Sequence, residues 1–167
     1  MSKLSRIRKP EVVAAIEARL IADRDELIVT QRRTQEGAFH EDNRPENDKD
    51  MRSTEVSYLA RGLAERVAQA MEDVAALSVF EPRTFSGVTP IGASALVLLE
   101  DEDTEELSIY FITPVGGGLR LSVADETVFT LSPQSPLGQE LQGLRQGDEL
   151  SFVTPRGRRD LLIVEVC

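Results

Sequence analysis

The sequence predicts an α+β protein: an antiparallel α-helical coiled-coil hairpin, then a small domain with a curved antiparallel sheet and one short helix. Three observations predict this architecture. Apolar residues recur at helical spacing through the first part of the chain, an acidic segment with a proline interrupts them, and short β-type runs begin after Gly87. We expect one domain over residues 1–81 and a second over 82–167, with an acidic tip of the hairpin at 36–50.

The charge of the chain argues against free nucleic acid as its primary ligand, because the formal net charge is −10. Residues 1–80 hold 13 Lys and Arg against 15 Asp and Glu, a mixture typical of an exposed helical rod. Residues 81–167 hold 6 against 14, so the second domain is strongly acidic. This balance favours a basic protein partner.

The composition argues against a disulfide, a Cys/His zinc site and a membrane-spanning segment. Cys167 and His40 are the only residues of their types, so neither an internal disulfide nor a Cys/His zinc site can form within one chain. The apolar runs are too short for a membrane span, and the basic start leads into an amphipathic helix pattern. We therefore expect a cytoplasmic protein without a membrane partner.

The first helix is predicted over residues 10–38. Pro10 suits a first helical turn, and Glu11 suits the positive end of the helix dipole. The outer part, 30–36, is nearly all polar, which predicts a looser rod there. Apolar residues recur at spacings of three, four and seven at Val13, Ile16, Leu20 and Leu27.

The second helix carries a three-four apolar repeat that predicts a coiled-coil seam against the first helix. We expect this helix to end at Phe80, before Pro82. The predicted seam residues are Val56, Leu59, Leu63, Val67, Ala70, Val74 and Leu77.

The second domain shows short runs that are rich in β-branched and other apolar residues. The acidic stretch 100–106, between the first two runs, is expected to be a solvated hairpin loop. Gly116, Gly117 and Gly118 form a turn rather than a phosphate loop, because Lys-Ser/Thr does not follow them. The predicted strands are 95–99, 107–113, 120–123, 128–131, 150–154 and 161–166.

Two local signals describe the end of the chain. Ser135 and Pro136 are suited to the cap and first position of a helix that we expect to reach Leu144. Gly147 and Asp148 then form a turn into a strand, and the segment 154–157 is a four-residue turn that returns the last strand as a hairpin.

The order of these elements, above all SPLGQELQGLRQGDELSFVTPRGRRDLLIVEV, resembles the Gre family of bacterial transcript-cleavage factors. The resemblance implies a second domain similar in fold to FK506-binding proteins, which docks at the secondary channel of RNA polymerase. It implies that the coiled coil enters the channel, where its acidic tip helps hold a Mg²⁺ of the polymerase while the 3′ end of backtracked RNA is cleaved. The expected docking residues are Ser135, Pro136, Gly147 and Asp148.

The tip departs from the family pattern Asp-x-x-Glu-Asn-x-x-Tyr. Glu46 and Asn47 match its Glu-Asn pair, but the neutral Asn43 stands where the family has Asp. Asp42 and Glu41 lie close enough in sequence to replace that carboxylate, and Mg²⁺ prefers oxygen ligands. Asn43 and Glu46 also have the spacing of a helix capping box, so a capping role stays open beside the metal-directed one.

The resemblance implies a monomeric, non-enzymatic factor that has no catalytic residues of its own and no cofactor beyond the Mg²⁺ of its partner polymerase. Arg32 and Arg33, just before the tip, are either solvated or in contact with RNA phosphates or polymerase carboxylates. Two alternatives remain. One is a tip-variant regulator that occupies the channel without cleavage, and the other is a peptidyl-prolyl isomerase or chaperone.

Overall fold

The computed structural model describes residues 2–41 and 49–167, with side chains described at 2–37 and 54–167. A short 3₁₀ helix, Leu4–Arg6, precedes two long helices, α1 (Lys9–Glu41) and α2 (Lys49–Ser78). The predicted α+β class, with two long helices before a sheet domain, is confirmed. The remaining elements are β1 (Leu96–Asp101), β2 (Leu107–Ile112), β3 (Arg120–Val123), β4 (Glu126–Leu131), α3 (Pro136–Leu141), β5 (Glu149–Thr154) and β6 (Gly157–Val166).

The chain divides into two compact units. The helical unit is Ala18–Ser78, and the sheet unit combines Met1–Glu17 with Val79–Cys167. The sheet unit therefore contains the first residues of the chain, which the sequence analysis grouped with the hairpin. The 3₁₀ helix contacts β1, and Leu4 and Ile7 are buried.

Polar contacts also fasten this first segment to the rest of the sheet unit. Lys9 Nζ donates a hydrogen bond of 2.6 Å to the carbonyl of Arg83 and lies 4.5 Å from the ring centroid of Phe85. Partial burial lowers the pKa of Lys9 to about 8. Ser2 Oγ donates to the carboxylate of Glu165 on β6.

The covered stripe of α2 follows a regular heptad repeat. Val67 and Leu77 are buried, and Leu63 is partly buried. The predicted seam is wrong at Leu59, which is 61% exposed, whereas Ala60 is partly covered. Counting back three residues from Leu63 gives Ala60, so the alternation of three and four passes through the smaller side chain and leaves the larger one outside.

The outer part of α1 has polar residues on its covered stripe. Beyond Leu27, the partly covered side chains of this part are Ile28, Gln31 and Thr34, and the other residues of 30–36 are exposed. Thr34 Oγ1 donates to the carbonyl four residues earlier, which satisfies its hydroxyl inside the helix. The covered stripe is therefore polar where the sequence analysis expects a looser rod, and the looseness itself stays a prediction.

The seam assignment yields a matched pair of variants in one helix. Leu63→Ala should lower the free energy of unfolding by about 1–3 kcal/mol, since it removes a partly buried side chain. Leu59→Ala should change it by less than about 0.5 kcal/mol, because that side chain is mostly in solvent. Urea unfolding followed by circular dichroism measures both, and an equal loss for the two variants would contradict the seam.

The sheet is mixed rather than wholly antiparallel, which corrects the sequence prediction. Its strand order is β3-β4-β2-β1-β6-β5. Four neighbouring pairs are antiparallel, but β2 and β4 are parallel, with Tyr110 opposite Phe129. The chain leaves β2, forms β3 at the outer edge and returns between them as β4, a crossover that makes β4 parallel to β2.

Turn geometry explains why β4 begins at Glu126, two residues before the predicted start, and why α3 ends early. The two-residue loop from β3 to β4 holds Ala124 and Asp125 at φ 52° and 63°, the left-handed values of a type I′ hairpin turn. Helix α3 ends at Leu141, not at the expected Leu144, and Gly143 follows at φ 83°. The core of the unit contains Phe85, Ile91, Ala95, Val97, Leu99, Ile112, Leu137, Leu141, Leu150, Leu161, Ile163 and Val166.

Candidate functional site

The predicted acidic tip falls at the connection between α1 and α2. Glu41 is the last residue of α1. Asp42, Asn43 and Glu46 lie outside the described residues, so their proposed role stays a prediction. Arg32 and Arg33 lie on α1 with exposed side chains, and neither forms an ion pair within the described part of the chain.

The start of α3 is built as the sequence predicted. Ser135 has an extended backbone, and its Oγ accepts a hydrogen bond of 3.1 Å from the amide of Gly138, while Pro136 opens the helix. The same hydroxyl donates to the carbonyl of Ser132 at 2.7 Å. Ser135 therefore holds both the helix and the preceding turn in place.

Gly138 is the residue at this site that the sequence analysis missed. A Cβ atom there would lie 2.0 Å from the carbonyl oxygen of Ser132, far inside contact distance. The helix approaches the turn this closely only because residue 138 has no side chain.

We therefore expect Gly138→Ala to displace α3 and to destabilise the protein by about 1–3 kcal/mol. A matched control is Gly62→Ala in α2, where a Cβ would meet nothing within 4 Å. That change should stabilise the helix by about 0.5–1 kcal/mol. Thermal unfolding of both variants tests the pair, and a neutral Gly138→Ala would disprove the close approach.

Gly147 and Asp148 form the turn before β5. Gly147 has φ 91° and donates its amide to Ile163 at 2.8 Å, and the Ile163 amide returns a bond of 2.9 Å to the Asp148 carbonyl. The Asp148 carboxylate accepts from the Arg145 amide at 2.8 Å. Within the described residues, no hydrogen bond or ion pair joins this turn to Ser135. Each of the two predicted docking pairs is therefore held by its own local hydrogen bonds.

A cleft opens on the sheet face beside α3, and the sequence analysis did not identify it. Its volume is about 50 Å³. The strand register explains its composition, because Phe152 lies opposite Arg159 across the β5–β6 pair, and both face the same side. The lining residues are Leu99, Asp101, Glu106, Ser108, Tyr110, Leu137, Phe152, Arg159 and Leu161.

The polar wall of the cleft contains an ion pair between the buried carboxylate of Asp101 and the half-exposed side chain of Arg159. Arg159 Nε donates to Asp101 Oδ2 at 2.6 Å, and the other carboxylate oxygen accepts the amides of Asp103 and Thr104 at 3.1 and 3.0 Å. The hydrogen bond from Arg159 holds the pKa of Asp101 below its ordinary value, and Asp101 raises the pKa of Arg159. Asp101 is the last residue of β1 and is buried, so the predicted solvated loop 100–106 is wrong at this residue. Its carboxylate joins the loop 102–106 to β6.

This ion pair predicts a pH dependence with a defined sign. Because the folded pKa of Asp101 is lowered, its stabilisation exists above the ordinary carboxyl pKa of about 4 and disappears as the pH falls through the folded pKa. Asp101→Asn should therefore lower the melting temperature near pH 7, with a gap to wild type that closes in acid. Asp103→Asn, an exposed change in the same loop, is the control, and a gap independent of pH would contradict the role of the charge.

The described residues contain neither a metal-binding cluster nor a membrane-spanning helix. In that part of the chain, no group of three or more His, Cys, Asp or Glu side chains is placed to hold a metal ion. The helices described there include none with the length and apolar character needed to cross a bilayer.

The chain is thus a two-unit α+β protein, in which two long helices precede a small domain with a mixed sheet. The short helix of that domain is capped by Ser135 and packs closely through Gly138. A family profile described as "Transcription elongation factor, GreA/GreB, C-term" matches residues 90–167. The transcription inhibitor protein Gfh1 of Thermus thermophilus is 30% identical over 121 residues, which cover 72% of this chain and 73% of that protein. The chain therefore belongs to the GreA/GreB family of transcription elongation factors, and the resemblance found in its sequence is confirmed.

The relatives include proteins named as elongation factors as well as proteins named as inhibitors. The transcription elongation factor GreA of Azorhizobium caulinodans is 35% identical over 102 residues, which cover 60% of each chain. The crystal structure of Thermus aquaticus Gfh1 matches 92% of this chain and 94% of its own at 22% identity, with a TM-score of 0.41.

Proposed function

We propose that this chain is a non-enzymatic factor that binds bacterial RNA polymerase and places its helical hairpin in the secondary channel. The observation that carries the proposal is the 30% identity over 121 residues to a protein named as a transcription inhibitor, together with the match of residues 90–167 to the elongation-factor family. In this proposal the sheet unit docks on the polymerase through Ser135, Pro136, Gly147 and Asp148.

The helical part is long enough for this task. Helix α2 has 30 residues, about 45 Å at 1.5 Å per residue. The proposed partner at the end of the hairpin is the 3′ end of backtracked RNA in the polymerase active centre. Arg32 and Arg33 are exposed near that end of α1 and could contact RNA phosphates or polymerase carboxylates.

The proposed chemistry of the tip is help in holding a Mg²⁺ that belongs to the polymerase. Glu46, Asp42 and Glu41 supply the carboxylate oxygens that this ion prefers, and Asn43 supplies only a neutral one. When bound, Mg²⁺ polarises a water and stabilises the oxygens of the cleaved phosphodiester. The chain contributes ligands and position, and the nuclease activity belongs to the polymerase.

A second candidate function is regulation without cleavage. Asn43 stands where the family pattern has Asp, and some of the relatives are named as inhibitors. In this alternative the chain still occupies the channel and modulates or inhibits transcription by doing so, but it does not stimulate cleavage, because the tip holds the ion poorly.

Cleavage of the transcript in stalled elongation complexes separates the two candidates. If the chain stimulates cleavage, Glu46→Gln should reduce the rate about tenfold or more at limiting Mg²⁺ and shift the Mg²⁺ requirement upward, since a charged ligand is lost. Polymerase binding should barely change. Cleavage by this variant at the wild-type rate and Mg²⁺ dependence would remove the metal role and leave helix capping.

The converse variant tests the alternative. Asn43→Asp restores the family carboxylate, so it should raise cleavage if the wild type is weak. An inactive wild type with a gain of cleavage in Asn43→Asp would assign the chain to the regulatory candidate. A wild type that binds no polymerase would overturn the proposed function as a whole.

A further inference from the structure

The cleft beside α3 has no role in the function proposed so far. Tyr110 and Phe152 form its aromatic wall, Leu137 of α3 lies at one side, and the buried Leu99 and Leu161 lie at its base. A cleft of about 50 Å³ with such a lining fits one apolar side chain better than ordered water, which needs several polar partners.

The charge around the cleft is predominantly negative. The charge of Arg159 is offset by its bond to Asp101, so the carboxylate of Glu106 on the same rim is not balanced there. The adjoining loop 102–106, between β1 and β2, contains four acidic residues and no basic one. Loss of hydration is the largest cause that raises the pKa of Glu102 in this loop, and the charges of Glu149, Asp160 and Asp103 raise it further, as expected where carboxylates are close together.

We propose that this cleft receives a single apolar side chain from a basic polypeptide segment of RNA polymerase. The proposal rests on the proposed function and specifies a docking contact separate from the two turns named above. An aromatic and aliphatic cleft anchors the side chain by burial, and the acidic rim selects Lys or Arg beside it. Arg159 Nη atoms, which have no hydrogen bond with the described residues, are available to backbone carbonyls of that segment.

Filling the cleft is the direct test. Ser108 lies on its wall with a partly covered side chain, so Ser108→Leu places an apolar group where the partner's side chain would insert. We expect at least about a tenfold rise in the Kd of the full chain for purified core RNA polymerase. Ser122→Leu, the same change at an exposed position on β3, is the matched control and should leave the Kd within about twofold.

Charge reversal at the rim is the second arm. Glu106→Lys should weaken polymerase binding at low salt by about fivefold or more, with a smaller effect as salt rises. Glu81→Lys changes the net charge equally at an exposed site away from the lining residues and should have little effect. Melting curves of all four variants must match wild type, since neither arm removes a core side chain.

The outcomes separate this inference from the function on which it rests. Normal polymerase binding by a folded Ser108→Leu overturns the cleft contact and leaves the proposed function intact. An equal loss with Ser122→Leu also overturns it, because the effect would not be local to the cleft. Absence of binding by the wild type overturns the proposed function, and the inference with it.

Discussion

The pairing of β1 with β6 is the contact on which the sheet unit depends. These strands lie next to each other near the middle of the sheet, although 58 residues separate Asp101 from Arg159. Their register joins Asp101 to Leu161, and the β5–β6 register sets Arg159 opposite Phe152. The ion pair of Asp101 with Arg159, the base of the cleft and the place of Phe152 in its wall all follow from these two pairings.

Local patterns were enough to predict most elements of the chain. The cap at Ser135, the proline at the first helical position and the strand of residues 120–123 depend on neighbours in sequence, and the structure confirms them. The helix end at Leu141 was missed because Gly143 needs a left-handed backbone, a signal that competed with the apolar Leu144.

Long-range geometry explains what the sequence did not predict. The parallel β2–β4 pair depends on which edge the chain takes after β2, and hairpin signals do not encode that choice. Leu59 matched a seam residue in size, yet heptad counting gives the smaller Ala60. The cleft combines side chains from separate strands and α3, so its parts have no common spacing in sequence.

The proposed function assigns recognition and chemistry to different parts of this molecule. The cleft and the two turns lie in the sheet unit, whereas the residues 42–48 fall within the range of the helical unit. Under the proposed function, a change at position 43 would therefore alter the effect of the tip on Mg²⁺ and leave the proposed docking contacts as they are, because no docking side chain is altered. Because Asn43 is neutral, the proposed function makes the charge of the tip the variable that decides between cleavage and regulation without cleavage.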